Sequence, residues 1–322
     1  MPPKYDDLAS ADPPYSSWEY FGREDQRGTI NFLTPERVAA AARLVRTGKQ
    51  IGLDYPVNAF EPYPTGTRPA TRHHVFANNE FHRDDWIDSF YLQSTSQVDS
   101  LRHIGHPAHG FYNGRSPSQN DAGSTDLGIH VWASTGIAGR GVLLDVERYF
   151  PGPGYDHETT IPLDVATLDA VADAQGVTWS GGEILLLHTG WAEHFLAAPA
   201  DERARIKNRS PGLAQRQEIV RWLWDHEIAL VASDNLAVEA DPVVDSDFRI
   251  PGARPPERGV NHDGMLHRPL IALLGMAMGE MWKLDELAED CAADGRYDFL
   301  LTCKPLHLIG GVGSPANAIA LK

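Results

Sequence analysis

The sequence predicts a single α/β domain: a mixed, twisted sheet that curls toward a barrel, with helices along its flanks. Helix-patterned and strand-patterned segments alternate through the middle of the chain, and several short strands follow one another near its end without helices between them. No internal repeat, low-complexity tract or linker interrupts the 322 residues, so 1–322 reads as one domain with 1–31 as an irregular arm. A hydrophobic content of 42% and an aromatic content of 9% are enough for a sizeable core.

In chain order, the residues up to about Asn31 are rich in Pro, Asp, Ser and Trp and read as an arm wrapped over the body. Thr34 as N-cap, Pro35 as first helical residue and Glu36 in the first turn open a helix that runs through Val38 and Ala42 to Val45 and stops near Gly48. Ile51 to Val57 reads as a strand, with Pro56 placing it at an edge. Asn58 to about Asp85 reads as a long loop carrying Arg72, His73 and His74, of a length usual for lids and interface arms. Those two histidines are candidates for a pocket rim.

An alternating strand from Ser89 to Tyr91 leads into Gln93, Gln97, Asp99 and His103, taken up below, and His106, His109 and His130 follow it. Ala138 to Val146 is a buried strand, and Ile161 to Ala174 is amphipathic at helical spacing and ends before Gly176. Glu183 to His188 is a continuous apolar strand that Gly190 and Trp191 turn into another helix. Gln215 to His226 is a helix, and Ile228 to Ala232 a buried strand ending in Ser233, Asp234 and Asn235. Polar strand tips of this kind face the ligand crevice of α/β sheets. Glu239 and Asp241 extend the tip and read more simply as a capped turn. Asp245 to His262 is a second long loop, and Leu284 to Ala292 a helix. Tyr297 to Thr302 and Leu306 to Leu308 are closing strands, and Gly310 to Gly313 a tight turn before the strand-like run Ala318 to Leu321.

The formal charge of −16 argues against a nucleic acid or an anionic membrane surface as partner, while leaving room for a small anion in a local basic pocket. Cys291 and Cys303 make neither a disulfide framework nor a metal spacing and read as small core residues. The first residues lack an apolar signal region and no apolar run reaches spanning length, so a cytoplasmic protein is expected. There is no G-x-S-x-G elbow, no Walker A loop and no G-x-G-x-x-G after a strand, which removes support for a serine hydrolase and for nucleotide binding.

Chemistry concentrates between Gln93 and His103. A carboxylate and an imidazole four residues apart, Asp99 and His103, follow two amides, Gln93 and Gln97, at similar spacing. Such a pair can hold a cation or move a proton, or it can simply cap a turn.

The run resembles the metal-site signature H-x-x-x-H-x-D-x-x-x-H of the cyclase-like hydrolase family, which includes kynurenine formamidase and isatin hydrolase. Asp99 and His103 match its last two positions, and Gln93 and Gln97 stand where its first two histidines would be. The segments Leu185 to Trp191, His267 to Glu280 and Gly310 to Ala320 resemble further family segments in the expected order. The resemblance implies a swivelling β/β/α fold, dimers or tetramers, and a site on Asp99, His103, His267 and Glu280, with His262 as the alternative to His267. Gln93, Gln97, Tyr112 and Trp191 would contact a small-molecule substrate, and Trp86 could also line the pocket.

Three arrangements follow. A divalent metal, zinc or manganese, sits on Asp99, His103, His267 and Glu280. Alternatively, a harder ion also uses the amide oxygens of Gln93 and Gln97, which suit zinc poorly. In the third, no metal is held, Asp99, His103 and Glu280 exchange protons, and the amides donate to a carbonyl oxygen. The activity implied is hydrolysis of a C–N or C–O bond in a small cyclic or aryl amide, imide or lactone by activated water. A non-hydrolytic cyclase, dehydratase or isomerase is the alternative, and an oligomeric binding protein with a degenerate site the third reading.

Overall fold

The computed structural model describes residues 2–150 and 154–322, so Met1 of the expected arm lies outside the described residues. Its strands are Gln50–Gly52 (β1), Arg72–Asn79 (β2), His82–Asp88 (β3), Gln97–Asp99 (β4), Ile137–Asp145 (β5), Pro162–Leu163 (β6) and Ile184–His188 (β7). Gly212–Leu213 (β8), Leu230–Ser233 (β9), Ala277–Glu280 (β10), Asp298–Cys303 (β11), Gly313–Pro315 (β12) and Ala318–Leu321 (β13) follow.

Among the described residues, nine strands form one mixed sheet in the order β1-β13-β11-β5-β7-β9-β10-β4-β12. Its middle, β5, β7, β9 and β10, is parallel, and the strands on either side are antiparallel. Val142 to Leu144, Ile184 to Leu187 and Leu230 to Ala232 are fully buried, as parallel strands covered on both faces must be. The helices Pro35–Ala42 and Val165–Ala174 pack on β5, and Gln217–Asp225 packs on the latter helix. No helix among the described residues is long and apolar enough to cross a membrane.

The connection from β12 to β13 requires the sheet to curl. The two strands lie seven steps apart in sheet order, about 34 Å if the sheet were flat. The three residue steps from Pro315 to Ala318 reach about 11 Å at most. The sheet therefore bends into a half-barrel that brings its edges together. Backbone bonds tie the seam: Ala316 N–H donates to Ser96 O at 3.3 Å and Leu53 N–H to Ala318 O at 2.9 Å. This is the curled mixed sheet with flanking helices that the sequence predicts.

The N-terminal arm is irregular apart from the short 3-10 turns Tyr5–Ser10 and Gly28–Phe32. Trp18 donates to Ala272 O at 2.8 Å and Thr29 N–H to Gly275 O at 2.9 Å, so the arm braces the segment behind His267. That segment, Arg268–Leu273, is a π-helical turn, a rare form that recurs at functional sites.

Several local expectations are corrected. Residues 72–88, expected mainly as loop, form an antiparallel hairpin of β2 and β3. Nearly every residue of both strands is exposed, so no face is apolar and the period-2 signal that marks a half-buried strand never arises. The strand expected from Ser89 is a turn, since Ser89 has φ 56°, and pairing starts only at Gln97. The first helix, capped by Thr34 as expected, ends at Ala42, and the strand expected over 51–57 covers only Gln50–Gly52. Leu306 to Leu308 forms no strand, and Gly313–Pro315, expected partly as turn, takes the edge position instead.

Candidate functional site

The strand β4 is paired on both sides, with Gln97 opposite Glu280 of β10 and Asp99 opposite Met278 and Gly313. Alternation puts Gln97, Asp99 and Glu280 on one face of the sheet and turns Val98 to the other. Trp282 fixes the strand by donating to Gln97 O at 2.7 Å. Gly279 makes room for this, because a Cβ there would sit 2.6 Å from the indole nitrogen.

From the far side, His267 reaches the same face. Its Nδ1 lies 2.8 Å from Glu239 Oε1 and its Nε2 3.0 Å from Glu280 Oε1. Burial alone would lower its pKa, but the two carboxylates outweigh burial and hold it well above the ordinary value. His267 is thus an imidazolium donating to both glutamates. The remaining Glu280 oxygen accepts from the Gln97 amide. The result is a buried chain: Glu239, His267, Glu280, Gln97.

A second chain runs beside it. The Gln93 amide nitrogen is 2.6 Å from Asp99 Oδ1 and 2.9 Å from His103 Nδ1. With the amide so turned, Nδ1 accepts and the proton of neutral His103 sits on Nε2. Burial, then the His267 and His262 charges and that of Arg68, hold His103 well below its usual pKa. Burial and then the Glu280 carboxylate push fully buried Asp99 up to about 7. His262 completes the cluster, its ring 5.0 Å from His267 and 5.9 Å from His103 between centroids. Burial takes it down to about 3.

Gln97, His103, His262, His267 and Glu280 line a cavity of about 680 Å³, within the size range of small-molecule sites. Asp99 and Gln93 stand just behind them. One ligand atom from each of Asp99, His267 and Glu280 falls within 4.8 Å of the others, and the same holds for His103, His262 and His267. Gln97 Oε1 and Asp99 Oδ2 are buried with no hydrogen-bond donor. Buried oxygens rarely stay unpaired, and a cation is the partner these two lack, so the residues fit a divalent ion. Gln97 has an oxygen free to ligate, whereas Gln93 presents its amino end.

The structure thus brings Asp99, His103, His267 and Glu280 together, with Gln93 and Gln97 bonded to them, and His262 is present alongside His267 rather than instead of it. Tyr112 and Trp191 are corrections. Tyr112 is fully buried against Gly275 and donates to Asp25 at 3.1 Å, and Trp191 stacks on Phe195 in a separate core cluster. Trp86 and His74 stack on each other on the hairpin, away from the cavity. His73 pairs with Asp85 on the same hairpin. His106 stacks on His109, and His130 accepts from Gly310 N–H, none of them at the cavity. Glu239 is more than a turn cap: it is the buried partner of His267. Its place beyond a buried strand tip was the available signal. Arg68 and Tyr63, also on the cavity wall, carried none.

Comparison with known proteins gives the family and the fold. Residues 51–240 match the family described as "Putative cyclase". A crystal structure described as a novel cyclase is 32% identical, with TM-score 0.80, over 95% of this chain and 99% of that one. Isatin hydrolase A from Labrenzia aggregata, bound to benzyl benzoate, is 16% identical with TM-score 0.56, covering 87% of this chain and 94% of that one. An isatin hydrolase bound to the product analogue thioisatinate gives 15% and 0.55, over 85% and 92%. At such identities the two hydrolases share the fold alone. No curated protein matches the chain.

Proposed function

The chain belongs to the cyclase family, and on that premise we propose that it is a hydrolase cleaving a C–N or C–O bond of a small cyclic or aryl amide, imide or lactone with water. The observation that carries this reading is Glu280, a carboxylate on the cavity wall held by His267 on one oxygen and Gln97 on the other. Each oxygen keeps a lone pair for water. The His267 imidazolium, supported by Glu239, points its Nε2 at one Glu280 oxygen and so fixes that carboxylate in place. Glu280 takes a proton from water as the oxygen attacks the carbonyl, then hands that proton to the departing nitrogen or oxygen. Neutral His103 donates its Nε2–H to the developing oxyanion, as preorganised donors do. Asp99 acts through Gln93, which fixes the His103 ring and tautomer. A divalent cation on Asp99, His267 and Glu280, or on the three imidazoles, would take the place of one His267 proton and would supply Lewis-acid polarisation of the carbonyl and a lower pKa for the attacking water. The fold shared with isatin hydrolases also supports the reading.

Turnover in water enriched in oxygen-18 tests it. Opening a lactone, imide or aryl amide such as isatin should place one solvent oxygen in each product molecule and release acid where a carboxylate forms. Product formed without label would overturn hydrolysis. It would favour a cyclase, dehydratase or isomerase, a reading supported by one observation: Gln93 and Gln97 commit their amide donors to Asp99 and Glu280, a carboxylate pair set up for proton exchange.

We further propose that the chain self-associates as a dimer or tetramer. A lone two-stranded ribbon is marginal in water, yet the hairpin exposes Val75, Phe76, Trp86 and Ile87, with Phe81 at its tip 89% exposed. Cover by a second copy would remove that surface from water.

A further inference from the structure

We propose that Arg68 anchors a carboxylate carried by the substrate, separate from the bond that is cleaved. The inference deepens the hydrolase reading and rests on it only for the word substrate, since anion binding is measured without turnover.

Arg68 lies on the cavity wall, with its guanidinium carbon 4.3 Å from the centroid of the Tyr63 ring. Its Nη1 is buried and has no hydrogen-bond partner. Among the described residues no carboxylate oxygen comes within 4.0 Å of it, although the chain has 44 acidic residues against 28 Lys and Arg. A buried guanidinium N–H left without an acceptor is costly to the fold unless something else supplies one. Its planar fork suits a carboxylate, which accepts two parallel N–H bonds. The Tyr63 face beneath holds the fork in one plane and offers an aryl wall beside it.

The carboxylates Glu280, Asp99 and Glu239 gather at the sheet, and the loop stretches that carry Arg68 and Arg258 also line the cavity. Arg68 is near enough for its charge to bear on Asp99, His103 and His262. An anionic group is repelled by these carboxylates and attracted by Arg68. That pairing sets the anion on Arg68 and turns the neutral carbonyl toward Glu280 and His103. A charge held this way orients the substrate for attack as well as selecting it.

Benzoate and benzamide, alike in shape and differing in charge, test this by calorimetric titration of the full-length protein. Benzoate should bind more tightly than benzamide. Arg68→Met should weaken benzoate by about 10–100-fold, the usual worth of a charge-assisted pair, and leave benzamide unchanged. Arg68→Lys should recover part of the loss, and equal melting temperatures would exclude misfolding. Benzoate affinity unaltered in Arg68→Met, or equal weakening of both probes, would overturn the proposal. So would wild-type enzyme that opens neutral and carboxylated lactones with equal kcat/KM, and that result would leave the hydrolase reading intact. Conversely, Arg68-dependent benzoate binding with no incorporation of solvent oxygen in any product would sink the hydrolase reading alone.

Discussion

Gln97 and Glu280 face each other across the β4–β10 ladder, and the Gln97 amide donates to the Glu280 carboxylate. An amide that spends its N–H on a neighbouring carboxylate leaves its oxygen, Gln97 Oε1, buried and unpaired. The pair therefore presents two things at once, an oriented base and an open oxygen ligand.

Glu280→Gln should abolish most turnover while preserving the fold, because the amide keeps the shape but cannot accept a proton. Loss of a general base costs about 10²–10⁴ in rate. Steady-state kinetics with an unchanged circular-dichroism spectrum would register it, and a variant with more than a tenth of wild-type kcat would remove Glu280 from the base role.

His103→Ala is expected to lower kcat by about 10²–10³ through loss of the oxyanion donor, and Asp99→Asn to lower it as well by loosening the Gln93 bond that fixes the His103 ring. Gln93 bonds both residues, so their effects should be far from additive in the double variant. Near-normal activity in both single variants would end the site assignment.

Gln97→His replaces an amide oxygen with an imidazole, the better zinc ligand. Zinc affinity, read by competition with a chromophoric chelator, should rise by about 10-fold or more, on the scale of ligand and outer-sphere changes at metal sites. An unchanged affinity would mean that the cluster does not hold zinc through this strand.

His188, at the end of β7, supports a stability prediction outside the cavity. Burial alone would lower its pKa, but the hydrogen bond to Asp145 and the charges of Asp234, Asp145 and Glu147 raise it to about 9. Its folded value exceeds the ordinary 6.5, so its contribution is full below about pH 6.5 and is lost as pH rises through about 9. The melting temperature should fall over that window, by the equivalent of roughly 2–3 kcal/mol. His188→Gln should flatten the slope, and a wild-type profile that is flat or rising from pH 6.5 to 9 would contradict the charged pair.

Replacing residues 76–87 by a short Gly-Ser turn should leave the half-barrel folded and convert the oligomer to monomers. Light scattering at micromolar concentration would report it. A wild-type protein that is already monomeric would refute self-association.

The central strands were legible because Val142 to Leu144, Ile184 to Leu187 and Leu230 to Ala232 are short continuous apolar runs, which a strand buried on both faces must be. The capped helix at Thr34 was legible for a similar reason, since cap chemistry is local. Along the sequence, Asp99 and His103 could be seen as a pair, and the likeness in spacing led to His267 and Glu280. What the chain alone could not decide was which polar groups meet across strands distant in sequence. Glu239 finds His267 28 residues away, and Gln97 finds Glu280 183 residues away, only because the sheet curls and the π-helical turn points His267 inward. Tyr112 and Trp191 went into the core for the same reason: an aromatic ring reads alike in sequence whether it faces a cavity or packs beneath one. The local pattern determined the buried central strands and the capped helix, whereas the exposed hairpin and the side-chain directions at strand ends belonged to the tertiary structure, because they depend on partners that no short window contains.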